Sequence, residues 1–108
     1  MKKWSLRALC ASALMATAGS ALAAEHVIVQ TGKAFSAKKL SVKLGDSVKF
    51  INEDPFSHNV FSLSDAKSFD LGSYGQGSAK SITLDKAGSV EVECAVHPDM
   101  KLVIEVDK

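Results

Sequence analysis

The stretch Cys94-Ala95-Val96-His97-Pro98-Asp99-Met100 places a thiol, an imidazole and a thioether within seven consecutive residues. It lies between two runs, residues 89–94 and 101–106, in which apolar and polar residues alternate, as they do in half-buried β-strands. On the first run the thiol of Cys94 shares a face with Val90 and Val92, so it points inward with the predicted core. This loop therefore joins two strand ends and carries three sulfur and nitrogen donors.

A second histidine, His58, lies upstream and is followed by Asn59. One thiolate, two imidazoles and a weakly bound thioether form the ligand set of mononuclear blue-copper electron-transfer sites. His58 is distant from the loop in sequence, so a neighbouring strand must bring it there. The residues predict a copper site made of His58, Cys94, His97 and Met100.

Residues 1–23 have the pattern of a secretory signal peptide. A basic start and the apolar run of residues 9–18 precede Ala21-Leu22-Ala23, which fits a signal-peptidase site. The apolar run is too short for a membrane span, which needs about 20 residues. We therefore expect cleavage after Ala23 and one mature periplasmic domain, residues 24–108, without a membrane span.

Removal of the signal changes the charge and the cysteine count. The full chain has 13 basic and 12 acidic residues, and losing the three basic residues before position 24 leaves a net charge near −2. Such a chain has no basic surface for nucleic acid. Cys10 leaves with the signal, so Cys94 cannot form an internal disulfide. Cys94 is either a buried bystander or the ligand of a metal that also stabilises a small domain.

The rest of the mature chain predicts further short strands and no helix, which favours an all-β sandwich. The Gly45-Asp46 turn predicts a hairpin between the strands on either side of it. Residues 62–78, which contain three glycines, predict a loop with at most one turn of helix. The further strands are expected at residues 26–30, 40–44, 48–52, 58–61 and 81–85.

The sequence resembles the cupredoxins, the small type 1 (blue) copper proteins of the plastocyanin/azurin family. The short Cys94-x-x-His97-x-x-Met100 loop, with Pro98 after the histidine, is most similar to the amicyanin ligand loop, and His58-Asn59-Val60 is similar to the upstream ligand segment. The resemblance covers most of residues 24–108 and is weakest over residues 62–78. It implies a Greek-key β-sandwich with copper at one end.

The same resemblance implies the role of each site residue. His58, Cys94 and His97 would be the strong copper ligands, Met100 the weak axial ligand, and the Asn59 side chain would hydrogen-bond to the Cys94 loop. The implied function is that of a monomeric one-electron carrier rather than an enzyme, with copper cycling between Cu(I) and Cu(II). Its donor and acceptor would be redox proteins docking near His97, with an amine dehydrogenase or a c-type cytochrome suggested by analogy.

Other interpretations of these residues remain open at this point. The chain could be a periplasmic copper delivery or storage protein, or it could hold a closed structural zinc site. Met100 could be a core methionine that fills a gap, and Asn59 a turn residue. His26, near the mature N-terminus, is expected to be solvated. Five loop residues could form either ordinary loops or an apolar collar around His97, namely Pro55, Phe56, Ala95, Val96 and Pro98.

Overall fold

A computed structural model describes residues 22–108, so the predicted signal peptide lies almost wholly outside the described residues. Within them, no helix is long and apolar enough to cross a membrane. The described residues form nine β-strands: β1 (Glu25–Thr31), β2 (Ala34–Phe35), β3 (Lys39–Lys43), β4 (Ser47–Asn52), β5 (His58–Ser64), β6 (Lys67–Tyr74), β7 (Ala79–Thr83), β8 (Gly88–Cys94) and β9 (Lys101–Asp107).

The strands make two packed sheets, which confirms the predicted all-β Greek-key sandwich. One sheet has the order β2-β1-β4-β7 and the other the order β3-β9-β8-β5-β6. β1 pairs in parallel with β4, and β3 pairs in parallel with β9, so early strands are held against later ones. The predicted inward face of β8 is confirmed, because Val90, Val92 and Cys94 are buried, and Leu102 and Ile104 of β9 are buried as well.

The predicted hairpin at Gly45-Asp46 is wrong. β3 and β4 lie in different sheets, and the turn between them carries the chain over the edge of the sandwich. Gly45 has a φ of 96°, which a residue without a side chain adopts readily. The corner is tied to the end of the seventh strand by backbone bonds, with the Leu84 N–H donating to the Asp46 carbonyl at 2.8 Å. Both strands alternate as predicted, but alternation does not specify which sheet each joins.

The prediction of a loop over residues 62–78 is also wrong. β5 continues to Ser64, and β6 forms an antiparallel edge strand beside it. The pairing register slips between Asn59 and Phe61, where β6 holds one extra residue and Gly72 has a φ of 74°. A glycine in this conformation is typical of a β-bulge, so it marks a bend within a strand rather than a loop.

Candidate metal centre

The site forms where β5 begins and β8 ends, because these two strands are antiparallel neighbours. Val60 lies opposite Cys94 in their register, which places His58 just beyond the Cys94 side chain. The Asn59 N–H contacts the Cys94 sulfur at 3.4 Å, and the Asn59 carbonyl accepts from the Ala95 N–H at 3.3 Å. The loop then turns back, with the Met100 N–H donating to the His97 carbonyl at 2.9 Å. Strand pairing and this turn together direct three side chains to one point.

Three donor atoms lie close enough together to share one metal ion. The Cys94 Sγ is 3.7 Å from His58 Nδ1 and 3.8 Å from His97 Nδ1, and the two Nδ1 atoms are 3.2 Å apart. Metal bonds of about 2.0–2.3 Å, arranged trigonally, would separate such ligands by roughly 3.5–3.8 Å. Among the described residues, His58, Cys94 and His97 form the group that could hold a metal in this way. One thiolate with two imidazoles is a donor set that suits copper.

The predicted site residues differ in exposure. His58, Cys94 and Met100 are buried, with exposed fractions of 0%, 2% and 1%. Met100 thus lies in the interior at the end of the ligand loop. His97 is half-buried and is therefore the more exposed of the two histidines.

A buried carboxylate, Asp54, holds the ring of His58. His58 Nε2 lies 2.6 Å from Asp54 Oδ2, and the same carboxylate accepts the Gly32 N–H at 2.6 Å and the Lys33 N–H at 3.1 Å. Burial opposes ionisation of Asp54, but hydrogen bonds from His58, Lys33 and Gly32 outweigh it and lower the pKa of Asp54. An ionised Asp54 keeps the proton of His58 on Nε2 and turns the Nδ1 lone pair towards Cys94.

Sequence reasoning missed Asp54 because Pro55 marks its surroundings as a loop, where a carboxylate is normally solvated. No local signal could have found it, because its four-residue spacing from His58 brings side chains together reliably only on a helix. The loop is ordered by Asn52, which is fully buried. The Asn52 side chain donates to the carbonyls of Phe56 and Tyr74 at 2.9 and 3.0 Å, and its Oδ1 accepts the Asp54 N–H at 2.8 Å.

The expected role of the Asn59 side chain is wrong. Its Nδ2 contacts Asp70 Oδ1 in the β6 bulge at 3.4 Å, while the Asn59 backbone makes the bonds to the Cys94 loop. Asn59 is opposite Ser73 in the β5–β6 register, which places its side chain near the bulge.

His26 does not join the site, and the expectation that it is solvated is met only in part. Its side chain is only 27% exposed, and its Nε2 lies 2.9 Å from Asp46 Oδ2. His26 and Asp46 sit at the start of β1 and just before β4, whereas His58 follows the end of β4.

Apolar residues surround the exposed edge of His97. Val96 is 60% exposed and Phe56 is 37% exposed, and the Phe56 ring lies 5.4 Å, centroid to centroid, from the rings of both His58 and His97. Pro55, Ala95 and Pro98 are exposed as well. We refer to Pro55, Phe56, Ala95, Val96 and Pro98 as the apolar collar.

Comparison with known proteins agrees with this geometry. The profile of the copper binding proteins, plastocyanin/azurin family, matches residues 23–107. The methylamine utilization protein MauL of Methylorubrum extorquens is 31% identical over 68 residues. That alignment covers 62% of this chain and 60% of MauL, so the chain spans about three fifths of that relative.

Solved structures share the fold. A variant of amicyanin in its reduced Cu(I) form superposes with a TM-score of 0.71 at 26% identity, covering 84% of this chain and 89% of amicyanin. The copper-containing nitrite reductase of Thermus scotoductus SA-01 gives a TM-score of 0.72 at 27% identity, covering 78% of this chain but only 22% of the enzyme chain. A purple cupredoxin from Nitrosopumilus maritimus gives 0.67 at 21% identity, covering 76% of this chain and 99% of that protein.

Proposed function

The chain belongs to the plastocyanin/azurin family of copper-binding proteins, and from this premise we propose that it is a periplasmic one-electron carrier with a single type 1 copper. The observation that carries the proposal is the convergence of Cys94 Sγ with two imidazole nitrogens within 3.8 Å. When bound, the copper supplies a one-electron couple between Cu(I) and Cu(II).

In this proposal His58, Cys94 and His97 would hold the copper strongly and Met100 would bind it weakly. The chain holds these ligands in place before the metal arrives: Asp54 orients the His58 ring, and the Asn59 backbone fixes the Cys94 sulfur. Fixed ligands need to move little between the two oxidation states, which favours electron transfer. Four side chains leave no open position for a substrate, and this supports a carrier rather than an enzyme.

Burial of the ligands supports a carrier over a copper delivery or storage protein. Delivery requires ligands that another protein can reach, whereas His58, Cys94 and Met100 are almost completely buried. A structural zinc site is disfavoured because structural zinc sets use cysteine and histidine without methionine.

Electrons would enter and leave through His97, with partners docking on the apolar collar. The partners would be a donor and an acceptor redox protein meeting a monomer. The likeness to amicyanin and to a protein named for methylamine utilization supports an amine dehydrogenase as one partner, and a c-type cytochrome is proposed by analogy alone. A mature charge near −2 gives little long-range steering, so apolar contact should dominate docking.

Export and cleavage after Ala23 form part of the same proposal. The family profile begins at residue 23, which supports a folded domain that starts there.

The proposal is tested by loading the exported, purified protein with Cu(II) and measuring its visible absorption. We expect an intense blue colour from sulfur-to-copper charge transfer, and we expect Cys94→Ala to lose it while circular dichroism shows an intact β-fold. A colourless wild type that holds one copper per chain would contradict the type 1 assignment.

A further inference from the structure

Two nitrogen atoms at the start of the described domain converge on one carboxylate. Asp46 Oδ1 accepts the Ala24 N–H at 2.9 Å, and Asp46 Oδ2 lies 2.9 Å from His26 Nε2. The carboxylate also accepts the Lys43 N–H at 2.9 Å and is itself buried. The electron-carrier site makes no use of this cluster, which lies at the other end of β4.

Processing would change the chemistry of Ala24. Before cleavage its nitrogen belongs to a peptide bond, and after cleavage following Ala23 the same nitrogen becomes a free α-amine. The mature chain would then begin Ala24-Glu25-His26, with an imidazole on the third residue. The amine, the Glu25 and His26 amide nitrogens and His26 Nδ1 are spaced along the chain so that one metal ion closes two five-membered rings and one six-membered ring. Four nitrogens arranged in a square plane suit Cu(II) and Ni(II).

We propose that the processed N-terminus, Ala24-Glu25-His26, is a second metal site of this protein and takes Cu(II) or Ni(II). The inference rests on the cleavage that forms part of the proposed function, but it does not depend on the blue site.

The Asp46 contact prepares His26 for this role. A carboxylate that accepts from Nε2–H keeps the proton on that nitrogen and leaves the lone pair on Nδ1, which is the nitrogen that the chelate requires. His26 is the half-exposed member of the pair, so an ion can approach it from solvent.

Metal binding would break only the first backbone hydrogen bonds between β1 and β4. Glu25 pairs with Ser47 at the start of that ladder, and the Ser47 N–H donates to the Ala24 carbonyl at 3.0 Å. The ammonium and the two amides would each lose one proton to solvent as the metal bonds form. The pairing from Val27 onward, which includes Ile28 opposite Phe50, can remain.

The two sites would fill independently because the sandwich separates them. Ser47 at one end of β4 pairs beside the N-terminal cluster, and Asn52 at its other end orders the loop that holds His58. Five residue steps of extended strand span about 16 Å. Metal at the N-terminus should therefore leave the ligands of the blue site where they are.

The test uses protein exported and processed by its host, with its N-terminus checked by intact mass and its blue site already filled with copper. Cu(II) is then added, excess metal is removed, and copper per chain is measured together with the electron paramagnetic resonance spectrum. We expect a second copper with nitrogen splitting typical of a tetragonal site, and an unchanged blue absorption.

Three variants make the assignment specific. One residue added ahead of Ala24 keeps every side chain but moves the histidine to the fourth place, and it should lose the second copper. His26→Gln should lose it as well. Asp46→Asn should keep the site but weaken it by about 10- to 100-fold, as loss of an orienting carboxylate does.

The inference is overturned if the mature mass does not begin at Ala24, if the wild type takes up only one copper, or if the extended variant still binds the second. Failure of the proposed function looks different. In that case the protein would lack the blue absorption yet still bind the N-terminal copper, and only the electron-carrier assignment would fall.

Discussion

Both ends of the sandwich contain an aspartate–histidine pair, and the two pairs differ in depth. At the end that carries the candidate metal centre, which we call the ligand end, His58 Nε2 and Asp54 Oδ2 are 2.6 Å apart, and the side chains are 0% and 5% exposed. At the N-terminal end, His26 Nε2 and Asp46 Oδ2 are 2.9 Å apart, and the histidine is 27% exposed. In each pair the carboxylate also accepts two backbone N–H groups, so both ends use one construction to fix a histidine.

The neighbours of each histidine decide what it can do. The buried His58 presents its second nitrogen to Cys94 and His97, where a soft sulfur donor favours copper. His26 has the chain terminus as its neighbour and solvent on one side. The same carboxylate–imidazole pair can therefore support an enclosed redox site in one place and an open ion-binding site in another.

The largest difference between the two ends should appear when each histidine is replaced by alanine and the blue absorption is compared. His58→Ala removes one of the proposed strong ligands, so we expect complete loss of the blue absorption. His26→Ala should keep the blue absorption at wild-type intensity because His26 lies outside that pocket. Absorption spectra of the copper-loaded proteins check both, and a blue His58→Ala protein would remove His58 from the ligand set.

Replacing each aspartate by asparagine should change the reduction potential in one variant and not in the other, which is a smaller effect than loss of the blue absorption. In Asp54→Asn the His58 ring loses its anionic partner and becomes a weaker donor to Cu(II), so the reduction potential should rise. The potential rises by about 60 mV for each tenfold loss of Cu(II) affinity relative to Cu(I) affinity. We expect a loss of roughly ten- to a hundredfold. Asp46→Asn should leave the potential unchanged. Equal potentials in both variants, measured by voltammetry, would mean that Asp54 does not act on the metal.

Met100 tests the ligand end by itself. In Met100→Gln a hard oxygen donor replaces a soft sulfur, which stabilises Cu(II) relative to Cu(I) and should lower the potential by roughly 60 mV or more. Copper content should stay at one per chain. A potential equal to that of the wild type would place the Met100 side chain among the core residues rather than beside the metal.

Two exposed apolar residues at opposite ends of the sandwich, Val96 and Leu63, serve as a test site and its matched control. Val96 lies beside His97 and is 60% exposed, while Leu63 lies near the far end of β5 and is 80% exposed. Electron-transfer encounters are small, so one charge in the docking patch is costly, and Val96→Asp should slow self-exchange by roughly tenfold. Leu63→Asp should exchange at the wild-type rate. If the second variant slows exchange and the first does not, electrons leave from the opposite end.

The smallest expected effect is acid sensitivity at the N-terminal end. Hydrogen bonds from the Ala24 backbone, from His26 and from the Lys43 backbone lower the pKa of Asp46 from 3.8 to about 2. A lowered folded-state pKa means that Asp46 stabilises the fold above about pH 4 and loses this contribution as pH falls towards 2. Urea unfolding from about pH 5 to about pH 2 should show a shallower decline for Asp46→Asn than for the wild type. Parallel declines would contradict this role.

The sequence predicted the two strands that flank the Cys94–Met100 loop well because their apolar and polar residues alternate cleanly. The partners that come from elsewhere were harder to predict. Asp54 is a polar residue beside a proline, and nothing local shows that it is buried. The wrong hairpin at Gly45-Asp46 has a similar cause, because alternation assigns faces whereas sheet membership depends on strands far away in sequence. The missed strand β6 contains a glycine bulge, which has the same local composition as a loop.

The position of β9 between β3 and β8 has a consequence for how the protein matures. His58 and Cys94 are 36 positions apart, and β9 comes later in the chain than either, yet the sheet is continuous only when β9 has inserted. Parallel, non-local pairing of this kind folds slowly, typically in milliseconds to seconds. In the proposed periplasmic location, a Cys94 thiol that the sheet has not yet enclosed would meet an oxidising compartment, where it can form sulfenic acid or a mixed disulfide. We therefore expect slower docking of β9 to lower the fraction of chains that reach copper with an intact thiol.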